Sequence, residues 1–278
     1  MSLIAQSSTL LSVRGLCKYF PILSKGLFRR QIGLVKACHD VSFDLARGET
    51  LGIVGESGSG KSTLARTLLR VTRPSAGSAL FYGDDPVDLA ALSARELKRV
   101  RPQIQMIFQD PFSSLNPRMT VEQIVAEPLT IHRRARGGEL EDRVVAMLRR
   151  VGIRPEYRGR YPNAFSGGQR QRIGIARALI LEPILVVADE AVSALDVSVQ
   201  AQVVNLLKDL QDELGLTYLF IAHDLSVVRH VAQRVAVMTR GEIVELGETA
   251  QVFDEPQHDY TRRLLGSVLE PDPDRPRL

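Results

Sequence analysis

Thr50-Leu-Gly-Ile-Val-Gly-Glu-Ser-Gly-Ser-Gly-Lys-Ser-Thr-Leu64 decides the reading of this 278-residue chain. Thr50–Val54 is short, apolar and followed by glycine, as a buried parallel strand is. Helical periodicity then runs from Ser62 to Leu69. Between them, Gly55-Glu-Ser-Gly-Ser-Gly60-Lys61-Ser62-Thr63 fits G-x-x-x-x-G-K-[ST] in the strand–loop–helix setting that this pattern requires. Glycines let backbone N–H groups converge on phosphate oxygens, and the helix N-terminus adds unpaired donors and its positive dipole end. The expected phosphate contacts are Gly55, Glu56, Ser57, Gly58, Ser59, Gly60, Lys61, Ser62 and Thr63. Lys61 suits the β- and γ-phosphates, and Ser62 suits Mg²⁺.

A second element lies downstream, in Ile184-Leu-Val-Val-Ala188-Asp189-Glu190. An all-apolar strand is buried on both faces, and carboxylates at its C-terminal end meet the ligand crevice of an open α/β sheet. Asp189 suits Mg²⁺ through water. Glu190 suits a general base acting on a water aimed at the γ-phosphate, a role worth about 10²–10⁴-fold. These two elements fit a small-molecule kinase, a GTPase or a motor ATPase equally well. Phe165-Ser-Gly-Gly-Gln169-Arg-Gln-Arg172 separates them. Ser166 is the expected N-cap, and Gly167 and Gly168 expose N–H groups at a helix start. One nucleotide has one γ-phosphate, so a second phosphate-binding surface points to a partner chain.

The surrounding pattern is α/β. Strands are expected at Leu11–Leu16, Val41–Leu45, Ser78–Tyr82, Ile184–Ala188 and Thr217–Ala222, with helices at Ser198–Leu214 and Leu225–Ala232. Such alternation implies a mainly parallel sheet covered by helices. Residues 111–172 read as a helical insertion, 22–35 as a basic surface loop, and 246–278 as a partly frayed tail. With 44% apolar and 24% charged residues the chain is of ordinary globular composition. Apolar runs such as Ile184–Ala188 reach five residues, against roughly 20 for a bilayer span. The N-terminus does not read as a cleaved signal, so a cytoplasmic location is expected. Thirty arginines against six lysines, scattered rather than striped, argue against a nucleic-acid partner. Two cysteines, Cys17 and Cys38, supply no disulfide scaffold.

Taken in order, the phosphate loop, Gln109 in Phe108-Gln-Asp-Pro111, the 165–169 segment, the acidic strand, Ser193-Ala-Leu-Asp196 and His223 in Ile221-Ala-His-Asp224 resemble an ABC-transporter nucleotide-binding subunit over about residues 11–265. The stretches 104–120 and 196–207, and His258-Asp-Tyr-Thr-Arg262, are similar to its peptide-importer branch, which also includes nickel importers. The resemblance implies an α/β, P-loop, RecA-like core with an N-terminal antiparallel β part and a helical subdomain. It places the ATPase domain at 1–245 and an extension at 246–278.

It further implies that ATP and Mg²⁺ bind, and that Lys61, Gln109, Glu190 and His223 act in hydrolysis. Ser62, Gln109 and Asp189 would serve the metal. Phe20, or Tyr19 beside it, would stack on adenine. Ser166, Gly167, Gly168 and Gln169 would reach the nucleotide of an opposing identical or paralogous subunit, and Asp196 would link the two sites. Two membrane-spanning permease subunits and an external solute-binding protein would complete an oligopeptide or dipeptide importer, or alternatively one for nickel or another small solute, with this chain peripheral on the cytoplasmic membrane face. A soluble, non-transport ABC ATPase is the other class; such chains usually carry two cassettes or a coiled-coil insertion, and this one has neither feature. Ala191 and Val192 depart from the family's usual proline and threonine, and hydrolysis is expected to survive this.

Overall fold

A computed structural model describes residues 9–24, 30–110 and 114–267. β1 (Thr9–Leu23) and β2 (Gln31–Ala46) pair antiparallel from Thr9 opposite Ala46 to Leu23 opposite Gln31. β4 (Ala76–Tyr82) joins the other edge of β1 and carries β5 (Pro86–Asp88), giving a sheet of order β2-β1-β4-β5. The expected loop at 22–35 is therefore corrected at 22–23 and 31–35, while residues 25–29 of that expectation lie outside the described residues. Phe20 pairs with Val35 and Ile22 with Gly33, so both strands continue into a long hairpin. Ile22, Leu34 and Val35 are exposed, and a ribbon without a buried face shows none of the alternation by which strands are read.

The second sheet has the order β10-β9-β3-β8-β7-β6. Its strands are β3 (Thr50–Val54), β6 (Ile104–Ile107), β7 (Leu185–Asp189), β8 (Thr217–Ile221), β9 (Arg234–Thr239) and β10 (Glu242–Glu248). All neighbours run parallel except β10 against β9. Side chains of a strand point alternately to its two faces, and here both faces are buried. Leu185 and Val187 join one core with Leu51, Ile53 and α1 (Lys61–Leu68), beneath the antiparallel sheet. Val186 and Ala188 join the other, with Phe220, Val204 of α6 (Val197–Leu214) and Val228 of α7 (Leu225–Val231). The unbroken apolar reading of 184–188 is the direct result.

α2 (Ala94–Val100) closes on β6 through a short 3-10 turn and begins at a Ser93–Glu96 capping box. The helical insertion holds α3 (Val121–Ile131) and α4 (Gly137–Arg150), and α5 (Gly167–Leu179) leads back to the sheet. α3 and α5 both start at reciprocal caps, Thr120–Gln123 and Ser166–Gln169. The expected frayed tail is corrected as far as residue 267. β10 is followed by α8 (Thr249–Asp254) and α9 (Asp259–Gly266), and Val252 and Tyr260 are buried in the main core. Residues 268–278 of that expectation lie outside the described residues.

Gly52, at the centre of β3, has no room for a methyl group, because a Cβ there would lie 2.4 Å from Val228 Cγ1 on α7. Gly52→Ala is expected to lower unfolding stability by about 1–3 kcal/mol through overpacking. Urea denaturation measures it.

Candidate functional site

Because β3, β8, β7 and β6 are adjacent and parallel, their C-terminal ends open on one edge of the sheet. That edge is where ligands bind in open α/β folds. Along it stand the phosphate loop after β3, His223 after β8, Asp189 and Glu190 at β7, and Gln109 after β6. Residues up to 168 positions apart in the chain (55 and 223) are thereby set in one row.

The loop is pressed between β2 and β9. Gly55 has φ 148° and Gly60 φ 111°; a Cβ on the first would meet the Met238 carbonyl oxygen at 2.0 Å, and on the second the Ala37 carbonyl oxygen at 2.1 Å. Both positions need glycine for backbone conformation and for space. Lys61 is only 4% exposed, and its ammonium donates to the carbonyls of Gly55 (2.7 Å) and Glu56 (2.9 Å). Burial pushes its pKa down, opposed by the charges of Glu190 and Asp189. The Ser59 hydroxyl is buried and has no partner among the described residues. Of the expected phosphate donors, the Glu56 amide is already committed, donating to Tyr260 Oη at 3.1 Å.

The Ser62 hydroxyl donates to Asp189 Oδ1 at 2.8 Å, joining the first turn of α1 to the end of β7. One residue on, Glu190 adopts φ 47°, a left-handed conformation uncommon for a glutamate. Its N–H donates to the Ile221 carbonyl at 2.8 Å, and its own carbonyl accepts from the Ser193 hydroxyl at 3.0 Å. This turn aims the carboxylate back across the strand ends. Gln109 Nε2 donates to Glu190 Oε2 at 2.6 Å, and His223 Nδ1 lies 3.8 Å from the same oxygen. Ala191 and Val192, at the departures from the family pattern, are buried in the core beneath this turn.

Ser166 caps α5: its hydroxyl accepts from the Gln169 N–H at 3.3 Å, and the Gln169 side chain accepts from the Ser166 N–H at 3.1 Å. Both residues are exposed. A Cβ on Gly168 would come within 2.4 Å of Val199 Cγ1, so glycine lets α5 begin hard against α6. Asp196 is exposed at the start of α6 and makes no side-chain cap bond, and Val197 beside it is 83% exposed. Phe20 is exposed with Lys18 Nζ 4.8 Å from its ring centroid, whereas the Tyr19 hydroxyl lies 2.7 Å from His39 Nδ1. Of the two aromatics named for base stacking, Phe20 has the freer ring.

Residues 38–193 match the family described as ABC transporter, and residues 244–278 match the oligopeptide/dipeptide transporter C-terminal region. The chain is 56% identical over 264 residues to the oligopeptide transport ATP-binding protein AppF of Bacillus subtilis, covering 95% of this chain and 79% of that protein. It is 53% identical over 274 residues to the glutathione import ATP-binding protein GsiA of Salmonella paratyphi A, covering 99% of this chain but 43% of that longer protein. Among solved structures, the dimeric post-hydrolysis state of the ATP-binding cassette MJ0796 bound to ADP and Pi superposes with a TM-score of 0.75 at 29% identity, over 86% of this chain and 99% of that one.

Lys61→Ala removes the only side-chain cation of the loop. It is expected to weaken binding of a fluorescent ATP analogue by about 10–100-fold, the weight of one charge-assisted hydrogen-bond donor. Equilibrium titration reads this directly.

Proposed function

The chain belongs to the ABC transporter family, and from that premise we propose that it is the ATP-hydrolysing subunit of an importer for oligopeptides or dipeptides. One observation carries the hydrolytic reading: Glu190 stands beside the Ser62–Asp189 pair, gripped by Gln109 and faced by His223. Glu190 is the general base, taking a proton from the attacking water through Oε2. Gln109 holds the carboxylate and that water, and His223 contacts the γ-phosphate and orients Glu190. Lys61 exchanges its loop carbonyls for phosphate oxygens. Phe20 stacks on adenine.

The oxygen donors Ser62 Oγ and Asp189 Oδ1, 2.8 Å apart, with the amide oxygen of Gln109, fit a hard divalent cation. A Mg²⁺ held by these residues would supply positive charge against the phosphates. The exposed Ser166–Gln169 helix start supplies N–H donors to the γ-phosphate of an opposing cassette, and Asp196 lies at the same junction. The dimeric state of the related cassette supports pairing of two cassettes. Residues 1–245 form the ATPase domain and 246–278 an extension.

A groove of about 710 Å³ between β6, α3 and α5 supports the permease contact. Val71, Phe108 and Ile131 are exposed at its rim, and Arg177 is sunk within, its pKa lowered by burial. An apolar segment of a membrane subunit fits there, one residue from Gln109, so movement at Glu190 is felt by the permease. No helix among the described residues is long and apolar enough to cross a membrane. The chain attaches peripherally at the cytoplasmic face through the permease. The peptide-importing relatives and the match at 244–278 support peptides as cargo.

Glu190→Gln is expected to keep ATP binding while hydrolysis falls by about 10²–10⁴-fold, the contribution of a positioned base. Phosphate release measured beside nucleotide affinity tests it, and unchanged turnover would remove Glu190 from that role. Copurification of the chain from its native membrane is expected to bring two multi-span proteins, an ATPase and an external peptide-binding protein. Ribosomes, nucleic acid or soluble proteins alone would overturn the transport reading.

A further inference from the structure

The Gly55–Glu56 peptide group is held at both ends. Its carbonyl accepts from Lys61 Nζ at 2.7 Å, and its N–H donates to Tyr260 Oη at 3.1 Å. A peptide group is planar, so it cannot rotate away from one partner without leaving the other. A hydrogen bond at the N–H also polarises the carbonyl and makes it the better acceptor for the ammonium. Tyr260 lies on α9 in the C-terminal extension, two hundred and four residues from Glu56 along the chain.

Tyr260 is itself firmly anchored. The Glu245 carboxylate on β10 accepts from the N–H groups of Gln257 (2.8 Å) and His258 (3.0 Å), fixing the turn that leads into α9. His258 Nδ1 then caps that helix, accepting the Tyr260 N–H at 3.1 Å. The tyrosine ring is buried in the main core. An unbroken set of bonds thus runs from β10, through α9, to the peptide that holds the lysine of the phosphate loop.

We propose that Tyr260 is a positioning residue, through which the C-terminal extension sets the phosphate loop and responds to nucleotide bound there. The inference rests on the nucleotide site described above and adds a second end to it. When Lys61 moves to phosphate, the Gly55 carbonyl is released while Tyr260 keeps the peptide oriented, so the loop need not reorder. Coupling of this kind is reciprocal: if the extension favours nucleotide binding, nucleotide favours docking of the extension.

Tyr260→Phe keeps the ring and removes the acceptor. In the full chain, the Kd for a fluorescent ATP analogue and the KM for ATP are expected to rise about 3–10-fold, the weight of one hydrogen bond. kcat should stay within about twofold, and melting of the nucleotide-free protein within about 4 °C. Glu245→Gln, which loosens the turn without touching the loop, should move KM in the same direction. Hydrogen exchange in residues 259–266 should slow on ATP addition in the wild type and respond less in Tyr260→Phe. Unchanged affinity in Tyr260→Phe, or kcat and melting temperature falling together with it, would overturn the positioning role. Failure of the wild type to bind the analogue would instead overturn the nucleotide reading, and the positioning role with it.

Discussion

The 2.8 Å hydrogen bond from Ser62 to Asp189 is the constraint on which the rest of the site depends. It joins the loop after β3 to the end of β7 across the intervening β8, and it forms because the three strands run parallel and end together. Parallel strands demand crossover connections, which is why the phosphate loop and its acidic partner are 127 residues apart in the chain. The same crossovers leave room for the helical insertion. α5 leads from it back to the sheet, starting hard against Val199 of α6 and packing on β6.

Around that bond the polypeptide departs from its relaxed preferences. Glu190 is left-handed, Gly55 and Gly60 take conformations other residues rarely adopt, and Lys61 is buried against carbonyls that only partly replace water. Such departures persist where the surrounding structure over-determines them, and they gather at functional sites. Here β2 and β9 clamp the loop, Ile221 and Ser193 clamp the turn at Glu190, and Tyr260 clamps the peptide behind the lysine. The site is stiff where phosphate must fit and exposed at Ser166, Gln169 and Asp196, where a second cassette would meet it.

Most of this is legible in the sequence for a physical reason. A phosphate loop needs glycines at set spacings and a lysine within a few residues, and a doubly buried strand needs an unbroken apolar run, so both leave local marks. The long hairpin left none, since Ile22, Leu34 and Val35 are exposed and alternate with nothing buried. The C-terminal helices were hidden differently. α8 and α9 are six and eight residues long, and Pro256 between them breaks any helical reading that would run through the segment. Tyr260 stood inside a segment similar to the peptide-importer extension, yet its bond to Glu56 depends on tertiary packing alone. Gln109 and His223 are likewise ordinary polar residues until the sheet aligns β6, β7 and β8.

The composite character of the site is tested most directly by mass. Glu190→Gln protein, alone and mixed with its copurified ATPase, would be sedimented with ATP and with ADP. A site completed by an opposing Ser166–Gln169 helix start predicts a two-cassette species with ATP in at least one mixture, and single cassettes with ADP. Single cassettes under every condition, with ATP bound, would contradict it.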